Sequence, residues 1–480
     1  MTRRIAVVVP PIEDFYFTEH RNSSLGARTV AGLLSESGCE VRFFNFIGAK
    51  GGRGRKCSIA LPGPLEYLQP FLKPAVNSAK TRDGFFSGYY RFGPADVECA
   101  AEVAAAKPDA VFLSLFAFAY AREANEFARH CRDALPGVPL IIGGPGGSVY
   151  PEYFLRTGTY SAACTGEAEI IIPEILKAIT EGLPNPANGI CMDAARITDA
   201  ADIFPVWHLS KGKRRILTTA LSRGCPLNCS FCSTRITHGK GFRCGSAAKW
   251  LEALPEAPRN MPVDINLEDD NLLYEPGLLF ELLDGIRYRF PAGTLMMENG
   301  IDFRLLNSGN VQKLMQAGMS HFNISMGMAG GRETGRQTDA YLRALELIDG
   351  LGGWATTYCI PGGWDDTPYA AGKTLGFLAK NATQIGISMF YPVPGIAGFE
   401  DRALFDTLPA DLAKGSSAYP WTGSLTTEDL ITAFLLARWI NREHFYEKKL
   451  LTEKEEPELP RNVPISGTVI EGYLEGICSS

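Results

Sequence analysis

The chain has 480 residues, 45% of them hydrophobic and 21% charged. That balance excludes a globally disordered protein, and the length predicts two or three domains. A net charge of −6 withholds the basic footprint of a nucleic-acid binder, and the one basic knot, Lys211 to Arg215, reads as a solvated linker.

The N-terminus carries two arginines and then only the apolar run Ile5 to Val9 before Pro10. This is too short for a signal-peptide core or a membrane span, so a cytoplasmic protein is expected. Ile5 to Val9 reads as a strand closed by Pro10-Pro11. Ser24 to Glu36 has helical spacing and stops at Gly38, and Val41 to Phe46 is a second strand. The loop-rich stretch Ile47 to Pro94 resists assignment. A helix over Asp96 to Ala106 leads to a third strand, Ala110 to Leu115, inside the apolar run ending at Ala121. A helix over Arg122 to Leu135, a strand over Pro139 to Ile142, the run Gly143 to Gly147, a short strand over Ser161 to Cys164 and a helix over Glu169 to Thr180 follow. Strand and helix in alternation predict a doubly wound parallel sheet, with ligands beyond the carboxyl ends of its strands.

The proline-bearing segment 186–214 reads as a linker. From Ile216 the alternation resumes, with strands predicted over Ile216 to Ser222, Val263 to Leu267, Leu295 to Asn299, His321 to Ser325, Trp354 to Ile360 and Ile385 to Tyr391. Helices are predicted between them, as at Glu275 to Arg287 and Ser308 to Ala317. Six such strands suggest a partial (β/α)6 barrel with its chemistry at the strand carboxyl ends. The tail from Gly415 is mostly helical over Glu428 to Phe445 and then proline-rich. The expected division is therefore 1–185, 186–214, 215–400 and 401–480.

Of the twelve cysteines, nine stand singly and read as small buried apolar residues. The other three, Cys225, Cys229 and Cys232, lie within eight positions directly after a predicted strand. In a reducing compartment such a cluster points to a soft metal site. Two readings fit the residue types. A structural zinc would need a fourth ligand, for which His238 or Cys244 is available. An iron–sulfur cluster held by three cysteines would leave one iron open.

The spacing C-x-x-x-C-x-x-C with Phe231 before the last cysteine resembles the signature of the radical S-adenosylmethionine superfamily. The resemblance implies a 4Fe-4S cluster whose open iron chelates S-adenosylmethionine, over a barrel covering residues 216 to about 400. Asn266 to Asn271, Lys313 to Asn323, Ile360 to Gly363 and Tyr391 to Gly395 resemble further passages of that barrel. Many relatives end the fourth strand with a glutamate for the cofactor ribose, whereas Ser325-Met326-Gly327-Met328 carries no acid here. Phe231, Ser325, Glu268 and Glu298 are the S-adenosylmethionine-binding candidates, with Glu333 as a further carboxylate.

The first 185 residues resemble the cobalamin-binding domain that precedes the barrel in one branch of the superfamily. The resemblance is carried by Pro10-Pro11, Ser24-Leu25-Gly26, Pro108 to Val111, Ile142 to Pro145 and Thr165 to Glu169. It implies cobalamin contacts from Pro11, Ser24, Leu25, Gly26, Ser114, Leu115, Phe116, Tyr120, Gly143, Gly144, Pro145, Gly166 and Glu167. No histidine among positions 20, 130, 208, 238, 321 and 444 sits in a D-x-H-x-x-G setting, so the cobalamin is expected base-off without a histidine ligand.

The function this implies is a cobalamin-dependent radical C-methyltransferase acting on an unactivated carbon. A radical cyclase or ring-rearranging enzyme is the alternative, and a zinc-stabilised binding protein is the alternative of another class. Trp364, Asp365 with Asp366, and Tyr391 are substrate-pocket candidates by strand-end position. A small-molecule or peptide substrate and an external donor such as flavodoxin or ferredoxin are the expected partners, without nucleic acid.

Overall fold

A computed structural model describes residues 2–17, 23–47, 56–72, 85–193, 196–197, 199–210, 215–256, 262–290, 293–328, 335–446, 450–451, 456–460 and 463–478. His20, Glu333 and Lys211 to Arg214 lie outside the described residues. The chain forms two compact units, and it passes between them repeatedly. One comprises 1–60, 89–258 and 392–414, the other 61–88, 259–391 and 415–480.

The first unit is built on a six-stranded parallel sheet. Its strands are β1 (Arg4–Val9), β3 (Glu40–Asn45), β6 (Ala110–Ser114), β7 (Leu140–Gly143), β8 (Ala162–Thr165) and β9 (Ile190–Asp193), ordered β3-β1-β6-β7-β8-β9. β2 (Ile12–Asp14), β4 (Lys56–Ile59) and β5 (Tyr89–Phe92) form a separate antiparallel sheet. β1 is buried from Ile5 to Val9, as a strand covered on both faces must be. Helices α1 (Leu25–Glu36) and α4 (Ala168–Glu181) pack on each other, as do α2 (Asp96–Ala105) and α3 (Ala121–Ala134). α3 buries Ala124, Phe127, Ala128 and Cys131, one stripe at helical spacing. In strand sequence the order is 2-1-3-4-5-6, so the direction of winding reverses between β1 and β6 and opens a crevice there at the carboxyl edge.

The sixth strand, β9, is a difference from the sequence reading, which placed a linker over these residues. It is an edge strand with Ile190, Cys191 and Asp193 exposed, so no buried apolar run announces it. The rest of this unit contains the antiparallel pairs β10 (His208–Leu209) with β11 (Arg215–Thr219), and β12 (Ser222–Arg223) with β13 (Arg243–Cys244).

In the second unit β14 (Val263–Leu267) pairs in parallel with β15 (Leu295–Met296). β16 (His321–Met328), β17 (Trp354–Ile360) and β18 (Thr383–Ile387) form a parallel sheet in that order. Helices α5 (Pro276–Arg289), α6 (Ser308–Gln316), α7 (Gly335–Gly350) and α8 (Pro368–Ala379) alternate with these strands. The tail contributes α9 (Thr427–Tyr446) and α10 (Gly467–Cys478). The stretch that resisted assignment is shared out. β4 and β5 belong to the first unit, while a 3-10 helix at Gly63–Phe71 belongs to the second, where Tyr67 donates to the Ser417 carbonyl at 2.6 Å. Among the described residues no helix is long and apolar enough to cross a membrane.

The lone cysteines divide. Cys99, Cys131, Cys164 and Cys359 are buried, and burial pushes each thiol up to about 12. Cys57, Cys191 and Cys478 are exposed, against the expectation of burial. No disulfide is formed.

Candidate cofactor and cluster site

At the carboxyl edge of the six-stranded sheet the loops expected to hold a cofactor lie side by side. Ser24, at the N-terminus of α1, takes a left-handed backbone (φ 52°) and its hydroxyl accepts from Asn45 Nδ2 at 3.0 Å. A non-glycine residue there stores strain, which persists where surrounding structure or a site demands it. Gly26 is exposed, and a Cβ built on it would meet no atom within 4 Å, so its backbone is open to a ligand. Gly144 (φ +82°) is required for another reason: a Cβ would stand 2.7 Å from the Leu115 carbonyl oxygen. The Gly146 N–H donates to that carbonyl at 2.8 Å, so the loops after β6 and β7 pack backbone on backbone.

The thirteen expected contact residues fall into two groups. Ser24, Gly26, Ser114, Phe116, Gly143, Gly144, Pro145 and Gly166 are exposed or half-buried, and Phe116 stands out at 41% exposure. Pro11, Leu25, Leu115, Tyr120 and Glu167 are buried. The Tyr120 hydroxyl donates to Asp14 Oδ2 at 2.7 Å, a partnership sequence reasoning missed. Glycine-opened backbone and an exposed aromatic form a cradle of the kind a large, flat, amide-rich cofactor requires.

The cysteine loop is in the same unit. It follows β12, and Gly224 (φ +79°) turns into it where a Cβ would lie 2.3 Å from the Gly241 carbonyl oxygen. Cys229 is exposed, Cys225 and Cys232 are half-buried, and Phe231 is half-buried beside them. The Cys232 N–H donates to the Cys229 carbonyl at 3.2 Å, and Cys232 Sγ lies 3.2 Å from Thr234 Oγ1. By the chemistry of its donors this loop fits a cluster: three solvent-reachable thiols on one short turn, none in a disulfide. Among the described residues no group of three or more His, Cys, Asp or Glu side chains is already converged on a point. Of the two candidates for a fourth zinc ligand, His238 has its Nδ1 3.0 Å from Glu167 Oε1, and Cys244 is half-buried at the end of β13.

Both roots of the loop are salt-bridged. Arg223 and Arg243 face each other across the β12–β13 pair. Arg243 reaches Glu167 with two hydrogen bonds of 3.0 Å, and Arg223 lies 3.5 Å from Glu169 Oε1. The backbone N–H of Ile197 donates to Glu167 Oε2 at 2.6 Å. Burial alone would raise the Glu167 carboxyl. The hydrogen bonds from His238 and Ile197 and the Arg243 guanidinium outweigh it, holding Glu167 below the usual range.

In the second unit Glu268 follows β14 and Glu298 follows β15, both half-buried, while Ser325 is exposed within β16 opposite Tyr358. The Asn299 amide donates to the Glu268 backbone carbonyl at 2.7 Å, which ties the first two strand ends together. Trp364 (40% exposed) stands edge-on to Phe390 at 5.0 Å, and Tyr391 is 37% exposed. Asp365 is exposed, whereas its neighbour Asp366 is buried and accepts from the N–H groups of Gly362 and Gly363 at 2.7 and 3.1 Å. Thr422 and Ser424 hydroxyls donate to the carbonyls of the same two glycines at 2.9 and 2.6 Å. Asp366 therefore holds the Ile360 to Gly363 loop in shape.

No protein-family model matches the sequence. Among curated proteins, a hopanoid C-3 methylase from Methylococcus capsulatus is 28% identical over 165 residues, covering 31% of this chain and 32% of that protein. A bacteriochlorophyllide d C-12(1)-methyltransferase from Chlorobaculum tepidum is 25% identical over 207 residues, covering 40% of this chain and 44% of that protein. The chain thus spans less than half the length of these curated relatives. Among solved structures, the radical S-adenosylmethionine methyltransferase TsrM from Kitasatospora setae, with cobalamin and a 4Fe-4S cluster bound, superposes with a TM-score of 0.56 at 15% identity, covering 82% of this chain and 74% of that one. The same enzyme with tryptophan substrate and the analogue aza-SAM gives 0.54 at 16% identity, covering 80% and 73%. The class is an α/β protein with the fold of these structures. Fold and cysteine signature agree on one resemblance, to the cobalamin-domain branch of the radical S-adenosylmethionine superfamily.

Proposed function

We propose that the chain is a cobalamin-dependent radical S-adenosylmethionine enzyme, a methyltransferase acting on an unactivated carbon of a small molecule or peptide. The observation that carries this reading is the joining, in one compact unit, of the Cys225-Cys229-Cys232 loop to a 2-1-3-4-5-6 parallel sheet with an open carboxyl edge. The two methyltransferases among the curated relatives and the fold of TsrM support it.

Cys225, Cys229 and Cys232 would hold the cluster, and the loops at Pro11, Ser24 to Gly26, Ser114 to Phe116, Gly143 to Pro145 and Gly166 would receive a base-off cobalamin. These groups, when bound, supply reductive cleavage of S-adenosylmethionine and methyl transfer. The protein's own part is orientation. Gly26 admits the cofactor to the backbone, Gly144 and Gly146 fix the loop beside it, and Phe231 stands in the cysteine loop directly before Cys232. Glu268, Glu298 and Ser325 are the candidates to hold S-adenosylmethionine; Trp364, Asp365 and Tyr391 the candidates to meet substrate. The barrel layout, the division 1–185, 186–214, 215–400 and 401–480, and a flavodoxin- or ferredoxin-type donor belong to the same reading.

The test is anaerobic reconstitution with iron, sulfide and hydroxocobalamin, followed by metal analysis and absorbance. About four iron and one cobalt per chain are expected. Replacing Cys225, Cys229 and Cys232 with serine should abolish iron loading and leave cobalt binding intact. Iron without cobalt would remove the methyltransferase and leave a radical cyclase or ring-rearranging enzyme. Zinc without iron would overturn the whole reading in favour of a binding protein.

A further inference from the structure

The cysteine loop hangs from a hairpin whose two base strands each present an arginine. Arg223 and Arg243 are directly opposed in the antiparallel register, and like charges in that relation repel. Their side chains are 11% and 14% exposed, too dry for water to screen the repulsion fully. Two acids answer them. Glu167 occupies the N-cap position of α4 with its carboxylate turned to other partners, and Glu169 sits in the first turn, where the helix dipole favours negative charge. Glu167 is 2% and Glu169 6% exposed at the side chain.

Each acid also fastens a separate backbone segment to the same point. Glu167 Oε2 accepts from the Ile197 N–H, and Glu169 Oε1 accepts from the Phe204 N–H at 3.1 Å. Arg243 donates in turn to the carbonyls of Ile197 and, at 2.9 Å, His238. His238 closes the helical turn Thr234–His238 that begins two residues after Cys232. Both ends of the loop therefore run into one pair of carboxylates on the strand end that follows β8.

We propose that Glu167, with Glu169, is a positioning residue for the cluster: it pins both roots of the Cys225 to Cys232 loop to the carboxyl edge of the parallel sheet, presenting the three thiols as one preorganised donor set. This rests on the cluster reading above. It gives Glu167 a task other than the cobalamin contact its sequence position implied. The bidentate geometry to Arg243 makes the site selective for a carboxylate at this reach.

The experiment compares the full-length wild type with Glu167→Gln, Glu167→Asp, Glu169→Gln and Arg243→Lys. Two readouts are taken: alkylation rates of Cys225, Cys229 and Cys232 in the apo protein by mass spectrometry, and iron retained after reconstitution and gel filtration. Glu167→Gln should keep the wild-type circular dichroism, change the alkylation rates of the three thiols together, and weaken iron retention by roughly 10-fold, the size of loss typical of residues supporting metal ligands. Arg243→Lys should move both readouts the same way and Glu167→Asp should restore part of them. Buried Cys131 and Cys359 are internal controls, and a purely structural defect would raise their alkylation equally, overturning the proposal. Unchanged alkylation and iron retention in Glu167→Gln and Arg243→Lys would overturn it too. A wild type that takes no iron would defeat the cluster reading instead, while the apo alkylation pattern still decides whether Glu167 orders the loop.

Discussion

Asp366 is a buried carboxylate spent on backbone. Burial pushes it up to about 6, only partly offset by the N–H groups of Gly362 and Gly363, and the neighbouring Asp365 adds to the rise. The sign of its linkage follows. With a folded pKa above the unfolded value of about 3.9, the folded state binds the proton more tightly, so this group's contribution to stability falls as pH rises from about 4 to about 6 and is constant beyond. Asp366→Asn keeps an acceptor oxygen for both N–H groups and removes the charge. Its stability relative to wild type should therefore improve across that window, as read by urea denaturation at a series of pH values. Asp366→Ala leaves two buried donors unpaired and should cost about 1–3 kcal/mol for each at every pH. A wild-type-like pH profile in Asp366→Asn would show that another group carries the titration.

At the scale of elements, α8 and α10 meet through glycine. A Cβ on Gly372 would lie 2.0 Å from the Val469 carbonyl oxygen, and one on Gly376 2.3 Å from that of Tyr473. The reciprocal positions Gly472 and Gly476 approach Tyr369 and Lys373 at 2.1 and 2.3 Å. The helices touch backbone to backbone, so a methyl has nowhere to go. Gly376→Ala should gain about 1 kcal/mol of helix propensity and lose more through overpacking of about 1–3 kcal/mol, a net destabilisation measurable as a lower Tm. An unchanged or raised Tm would mean that α10 can shift outward without loss.

This helix pair marks where the sequence was legible and where it was not. Ile5 to Val9 and Trp354 to Ile360 announce themselves because their residues are apolar or β-branched throughout, and Val263 to Leu267 because apolar residues alternate with Asp264 and Asn266 at strand period. The cysteine loop was legible because three soft ligands in eight positions have few bland explanations. β9 escaped because an edge strand needs no buried run, and α10 because its interface is written in small residues separated by more than ninety positions from their partners. The salt-bridged roots of the loop escaped for a related reason. Arg223 and Arg243 look like solvent-facing charges until the fold brings Glu169 and Glu167 beneath them.

For the whole molecule, the interleaving of the two units decides whether the parallel sheet can be isolated. A fragment ending at residue 185 looks like a complete doubly wound domain, yet the first unit also includes 186–258 and 392–414. Those later segments carry its counter-charges. Lys414, with no side-chain exposure, donates to Glu123 at 2.8 Å, to Asp411 at 2.6 Å and to the Tyr89 hydroxyl at 2.7 Å. Burial would lower the Lys414 ammonium, but Glu123 and Asp411 hold it raised. Arg122 is shared between Glu13, Glu123 and Asp411. Cutting at 185 removes Lys414 and Asp411 together, and also takes Arg243 and His238 from Glu167. Glu123 then keeps only Arg122, and Glu167 keeps no cation from its present set. Breaking a buried pair on one side costs about 3–5 kcal/mol, against a total stability of about 5–15 kcal/mol for a domain. The 1–185 fragment should thus lack a cooperative thermal transition by circular dichroism at neutral pH. The same fragment carrying Glu123→Gln and Glu167→Gln should recover part of one, because the stranded charges are gone. A fully cooperative transition in the unaltered fragment would show instead that the first five strands and their helices suffice without β9, and that the segments 186–258 and 392–414 are accessories to a fold already complete.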